Sequence, residues 1–529
     1  MVFARSRRDF LKQGSLLAAL SSGMLELEPA WAQTATQTRF VEADTAFGRV
    51  RGADVEGIKT FKGIPYGAST AGRNRFMPPV DPAKWSGVRD ALAYGPSAPQ
   101  REPGVQREES RLAVAAAGLP GEGEDCLVLN VWTPGLADGG RRPVMFYIHG
   151  GGFTSGSGGL PFDGDPMVRL GDVVVVTVNH RLGPLGYLNL EGAGWPEEFR
   201  YASVAGMMDL VAALEWVRDN IESFGGDPGN VMIYGQSGGG SKTSHLMGMP
   251  SGKGLFHRAA VQSGSRLEAG SEEQAAASAS RLVEELGVTS GRPEEIQDID
   301  WAAIIEAEAN SGFGPILHEE VIPHHPFDPT APEESRDVPL LLGYAREDSG
   351  YRGPSGPVTS ADLQEWAEEA YDESAPEILS LYSRVYPNAT PSQIRARIST
   401  DSGVRRRAEM MAERKADQGG APAYMYLVEW PSPSFEGKFG AVHGVDLGLV
   451  LADPRIPISG NTPGARRMAD VMGSAFATFA RTGDPNCDLV PHWSPYDRAS
   501  RTTMVLDEEC RSVDDPTGEL RAYWEGSDT

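Results

Sequence analysis

Four short apolar runs punctuate the chain: VMFYI at 144–148, VVVVTV at 173–178, VMIY at 231–234 and PLLLGY at 339–344. Each has the length of a buried strand. Between them the period changes. In 207–224, Leu210, Leu214, Val217, Ile221 and Phe224 recur three or four residues apart, the stripe of a helix packed on a sheet. A further helix is predicted at 241–248. This alternation predicts an α/β fold with a large, mostly parallel central sheet, whose sites lie beyond the carboxyl ends of its strands.

Chemistry-bearing residues follow these runs. VMIY leads into Gly235-Gln236-Ser237-Gly238-Gly239-Gly240, a G-x-S-x-G spacing. The spacing alone is weak, because 63 glycines and 41 serines in 529 residues yield about 0.6 such matches by chance. Its context is stronger: a strand before and a helix after are what a nucleophile elbow requires, and flanking glycines let neighbouring backbone pass a strained turn. A nucleophilic serine also needs donors for the oxygen that becomes negative on the attacked carbonyl. VMFYI ends in His149-Gly150-Gly151-Gly152-Phe153, and the N–H groups of Gly151 and Gly152, with that of Gly238, are the candidate oxyanion hole. A phosphate loop is a poor alternative, since no G-x-x-x-x-G-K-[ST] occurs.

Length allows one large or two intimate domains. SRRDFLK at 6–12, a modestly apolar stretch and Ala30-Trp31-Ala32 before Gln33 have the order of a twin-arginine export signal, so residues 1–32 are set aside as a signal peptide and 33–529 as the mature domain. That address implies the Tat translocation machinery as a transient partner and a periplasmic or secreted destination. No later apolar run is long enough to anchor the chain in a membrane. Net charge is -25, which disfavours nucleic acid as a partner and repels anionic substrates at long range unless a local basic pocket intervenes. Cys126, Cys487 and Cys510 cannot all pair within one chain; a Cys487–Cys510 bridge is allowed, worth roughly 3 kcal/mol by loop entropy. His318, Glu319, Glu320, His324 and His325 do not match H-E-x-x-H, because Ile322 takes the second ligand position and Pro323 opposes the helix, so no metal is expected.

With HGGGF and the elbow stand FKGIPYG at 61–67, RFMPP at 75–79, EDCLVLNVWTP at 124–134, NHRLGPLGYL at 179–188, ALEWVRDNIESFGGDPGNV at 213–231, LFHRAAVQSGS at 255–265 and FARTGDPN at 479–486. In this order they resemble the type-B carboxylesterase and cholinesterase family of α/β-hydrolases over nearly the whole mature chain. The resemblance implies a serine hydrolase of carboxylic esters that works without cofactor or metal. Ser237 would be the nucleophile, and the partners should follow in the order acid, then histidine. PLLLGY leads into Ala345-Arg346-Glu347-Asp348-Ser349, where alignment from Gly343 puts Asp348 at the acid position, with Glu347 the rival; GAVHGVD at 440–446 resembles the histidine loop and points to His443. Three features depart from the family. Gln236 and Gly238 replace the Glu and Ala of the common G-E-S-A-G, and Ala98 stands where the disulfide partner of Cys126 is usual, which leaves Cys126 a free, buried thiol. The family also includes adhesion and storage proteins that lost the triad, so a noncatalytic binding protein is the alternative, disfavoured by three filled positions. Amides, carbamates and long-chain lipids would use the same parts. The ester substrate and the oligomeric state leave no trace in the sequence.

Overall fold

A computed structural model of the chain describes residues 39–101, 121–159, 163–288, 292–308, 312–353 and 357–526. Residues 1–32, the expected export signal, lie outside the described residues. So does most of the glycine-, proline- and glutamate-rich stretch between 99 and 125.

Among the described residues, thirteen strands join in one sheet. The first five are β1 (Arg39–Thr45), β2 (Gly48–Val55), β3 (Ile58–Pro65), β4 (Val88–Asp90) and β5 (Val128–Thr133). The next four are β6 (Arg142–Ile148), β7 (Val174–Val178), β8 (Gly226–Gln236) and β9 (Arg258–Gln262). The last four are β10 (Leu340–Ala345), β11 (Ala423–Val428), β12 (Thr502–Leu506) and β13 (Arg511–Asp514). The order is β1-β2-β3-β5-β7-β6-β8-β9-β10-β11-β12-β13, with β4 beside β2. All neighbours from β7 to β12 are parallel, and the outer pairings β1–β2, β2–β3, β3–β5, β5–β7 and β12–β13 are antiparallel. All four apolar runs are central strands of this parallel stretch.

Both faces of the central strands are covered, which is why their sequences are continuous rather than alternating in hydrophobicity. Side chains still divide with period two. Val144, Phe146 and Ile148 of β6 and Val231 and Ile233 of β8 join one core, whereas Met145, Tyr147, Met232 and Tyr234 join the other. The helix Ala205–Asn220 carries the stripe read from the sequence, with Leu210, Leu214 and Val217 on the first core. Helix Pro463–Thr482 covers the opposite face with Met468, Met472, Phe476 and Phe479. A third, smaller core around Ile378, Tyr382 and Ile398 belongs to the helices inserted after β10.

The NHRLGPLGYL segment is fixed by a buried ion pair. Arg181 Nη2 and Nε donate to the two carboxylate oxygens of Asp209 at 2.6 and 2.8 Å, and the Arg181 backbone N–H adds a bond of 3.0 Å. Removing one partner of such a pair strands the other charge in the interior. Arg181→Ala is therefore expected to destabilise the fold by about 3–5 kcal/mol in a urea titration; a loss below about 1 kcal/mol would contradict the assignment.

All three cysteines are free. Cys126 is a buried free thiol whose deprotonation is disfavoured first by burial, as the alanine at 98 suggested. Cys487 and Cys510, however, are both free, although each packs against the same core. Sequence separation allowed the bridge; both thiols are unjoined in the structure.

Candidate active site

The carboxyl ends of β6, β8, β10 and β11 gather the residues singled out above. Between β8 and the helix Gly238–Met247, Ser237 has φ +58° and ψ −121°, a left-handed conformation that few side chains adopt. Its N–H donates to the Gln262 carbonyl at 2.8 Å. The flanking glycines are sterically required: a Cβ on Gly239 would come within 2.0 Å of the Ile148 carbonyl, and one on Gly235 within 2.5 Å of Gly239. Gly238 has its own reason. A Cβ there would lie 2.3–2.5 Å from the O, N and Cα of Gly152, so the glycine turn after β6 packs directly on the residue after Ser237. Gly151 and Gly152 take φ +87° and +64°, and their N–H groups have no acceptor among the described residues. The Gly238 N–H opens its helix, where no intrahelical acceptor exists. Gly151, Gly152 and Gly238 thus carry three backbone donors without an acceptor among the described residues, on two turns packed together at Ser237.

Of the two neighbouring carboxylates after β10, Asp348 meets the histidine. His443 Nδ1 and Asp348 Oδ1 are 2.7 Å apart, and Asp348 Oδ2 accepts the Ala345 N–H at 3.2 Å. Glu347 turns away into a pair with Arg397 at 2.5 Å and accepts the Ala441 N–H at 2.9 Å, which ties the histidine loop to β10. Tyr351 stacks on the His443 ring with centroids 5.1 Å apart.

The Carboxylesterase family model matches residues 37–522. The chain belongs to the carboxylesterase family. Para-nitrobenzyl esterase of Bacillus subtilis is 33% identical over 497 residues, covering 90% of this chain and 97% of that protein. Phenmedipham hydrolase of Pseudarthrobacter oxydans is 32% identical, covering 89% and 96%. Among solved structures, an esterase of Clostridium hathewayi that can hydrolyze aliphatic aromatic polyesters superposes with a TM-score of 0.79 at 29% identity, over 93% of this chain and all of that one. The fold is therefore the α/β-hydrolase fold of these esterases.

Within this carboxylesterase the Glu-to-Gln departure acquires a structural meaning. The Gln236 side-chain amide lies 3.1 Å from His443 Nε2. With Asp348 accepting from Nδ1–H, the Nε2 lone pair is the acceptor and the amide the donor, an assignment made from the partners. Ser237 Oγ itself makes no hydrogen bond among the described residues. Gln236→Glu would put a negative charge at this contact and favour the protonated imidazole. The acid limb of the kcat/KM profile should then move to higher pH by about one unit; an unmoved limb would show that Gln236 does not sense His443.

Two groups near the turn escaped the sequence reading. Lys242, one turn into the helix after Ser237, is buried, and its ammonium donates to the His149 carbonyl at 3.1 Å with no carboxylate partner among the described residues. Burial lowers it to about 7. His149 stacks on His180 with centroids 4.7 Å apart and is pushed down to about 3, first by burial and then by Lys242. The second is Asp446, a buried carboxyl raised by burial that accepts from the Tyr426 hydroxyl at 3.0 Å. No local pattern marks either one, because both depend on neighbours far away in sequence.

Proposed function

We propose that the enzyme hydrolyses carboxylic esters of small molecules through an acyl-enzyme on Ser237, with His443 as general base and acid and Asp348 as its orienting carboxylate. The observation that carries this reading is the 2.7 Å contact of His443 Nδ1 with Asp348 beside the left-handed serine. Asp348 fixes the tautomer that leaves Nε2 free to take a proton. Ser237 Oγ attacks the ester carbon, its proton passes to Nε2 in place of the Gln236 amide contact, and the same proton then leaves with the alcohol. Water repeats the sequence and releases the acid. The oxygen that becomes negative is held by the N–H groups of Gly151, Gly152 and Gly238, each donor worth about 10²–10³ in rate. These steps call on no cofactor.

Hydrolysis of p-nitrophenyl esters from acetate to palmitate by residues 33–529, beside Ser237→Ala, tests the proposal. Turnover that vanishes in the variant supports it, and the chain-length profile separates short esters from long-chain lipids. Equal rates in both proteins would remove Ser237 from the mechanism.

We further propose that residues 1–32 direct twin-arginine export to the periplasm or beyond, with cleavage before Gln33. The paired Arg7 and Arg8 and the Ala30-Trp31-Ala32 site support this. Replacing both arginines by lysine should leave an uncleaved cytoplasmic precursor; a processed, exported product would exclude the route.

A further inference from the structure

The two ends of the glycine turn after β6 are held by one side chain from the helix that follows the proposed nucleophile. Lys242 stands on the helix Gly238–Met247, of which Ser237 is the N-cap, and is fully buried. Its ammonium donates to the His149 carbonyl at 3.1 Å and lies 5.7 Å from the centre of the Phe153 ring. His149 and Phe153 are the residues on either side of Gly150-Gly151-Gly152. The glycines between them offer no side chain to grip. Gly151 and Gly152, whose N–H groups face no acceptor among the described residues, are exposed.

Each anchor is itself fixed. The Phe153 ring packs edge-on against Tyr187 and His245, with centroids 5.2 and 5.8 Å away, and its carbonyl accepts the Gly183 N–H at 2.8 Å. The His149 ring stacks on His180. A peptide group is planar, so fixing the His149 carbonyl also fixes the direction of the Gly150 N–H and the plane from which Gly151 starts. The turn meets the same helix again at Gly238, where an added Cβ would come within 2.3–2.5 Å of Gly152.

A cation is a costly means of holding a turn. No carboxylate lies within ion-pair distance of Lys242 among the described residues, and burial alone acts on its ammonium. The imidazoles of His149 and His180 are pushed down by burial first and then by Lys242, so they stay neutral beside it. A methionine would fill similar space without the charge. A group that weakens the fold and lies beside a reaction centre is a local departure that function accounts for.

We propose that Lys242 is a positioning residue for the reaction: it clamps both ends of the glycine turn to the serine's helix, so that the N–H groups of Gly151 and Gly152 are aimed in advance at the oxygen that becomes negative. This inference rests on the esterase reading and on the oxyanion role of those glycines. A preset donor needs no rearrangement as charge develops, whereas a turn released at its ends must be reordered in every tetrahedral step.

Lys242→Met removes the donor and the charge and keeps most of the volume. We expect kcat on p-nitrophenyl butyrate to fall by about 10- to 100-fold, short of the loss of a whole donor, with KM nearly unchanged. An alkyl trifluoromethyl ketone reads the oxyanion directly: Ser237 Oγ bonds to the ketone carbon, the carbonyl π pair becomes the oxyanion, and the serine proton goes to His443. Its affinity should fall in step with kcat, while the methyl ketone of the same chain, bound unreacted, should keep its affinity. Phe153→Leu tests the other contact independently and leaves the charge; it should give the same pattern more weakly. The double variant should lose less than the product of the two single losses, because both contacts act through one turn. An unchanged kcat in Lys242→Met would overturn the clamp. So would a kcat loss with the trifluoromethyl ketone affinity unmoved, or equal losses for both ketones, which mark general damage to the site. Those results leave ester hydrolysis standing; turnover by Ser237→Ala at the wild-type rate would instead remove the esterase reading on which the clamp rests.

Discussion

Asp348→Asn should lower kcat on a p-nitrophenyl ester by about 10⁴-fold with little change in KM. The amide keeps the shape of the side chain but can donate to His443 Nδ1, which stabilises the tautomer whose Nε2 carries the proton and cannot accept one from Ser237. Glu347→Gln is the control. Glu347 is buried against Arg397 and Arg346 and holds the Ala441 N–H, so its loss strands a buried guanidinium and loosens the histidine loop. We expect that variant to lose about 3 kcal/mol of stability while its kcat stays within about tenfold of wild type. Steady-state kinetics beside urea denaturation separates the two roles. A large kcat loss in Glu347→Gln with Asp348→Asn near normal would transfer the acid to Glu347.

The second large effect is one of stability and runs against intuition. Lys242→Met should stabilise the protein at about pH 6 and progressively less as pH rises. In the folded state burial lowers the ammonium to about 7, whereas an unfolded lysine titrates at about 10.4. Between these values the unfolded chain binds more protons, so the wild type gains stability as pH rises through the window. Below about 7 both states hold the proton and the burial penalty is fully present; above about 10.4 both are neutral and it is gone. The penalty has an upper scale of about 5 kcal/mol, offset by roughly 1 kcal/mol for the bond to the His149 carbonyl. Urea midpoints at about pH 6 and about pH 9.5 would check this. A variant that is less stable than wild type at the lower pH would mean the ammonium is held more favourably than its surroundings suggest.

Much of this architecture was written locally. The four apolar runs are long enough and uniform enough to be recognised as buried strands, and the strands β6, β8 and β10 end at the residues with chemical potential. Gly235 and Gly239 could be read as steric necessities because the elbow they flank is a local object. Gly238 could not: it departs from the usual alanine, and only the approach of Gly152, 86 residues earlier, explains it. Register alone favours Asp348 over Glu347 in the sequence; the loop carrying His443 meets the first and is pinned by the second.

Other features depend wholly on tertiary contact. Tyr351 is an ordinary loop tyrosine until its ring meets His443. The state of Cys487 and Cys510 was open in the sequence for the complementary reason, since sequence proximity measures loop entropy and not the direction of two thiols.

The central claim is that Ser237 is the residue acylated. Its most direct measurement is mass spectrometry after treatment with an alkyl p-nitrophenyl phosphonate, which phosphonylates an activated serine and expels p-nitrophenolate. The account predicts about one equivalent released per chain, the adduct on the peptide containing Ser237, and no labelling of Ser237→Ala. An adduct at any other residue, or undiminished release from the variant, would contradict it.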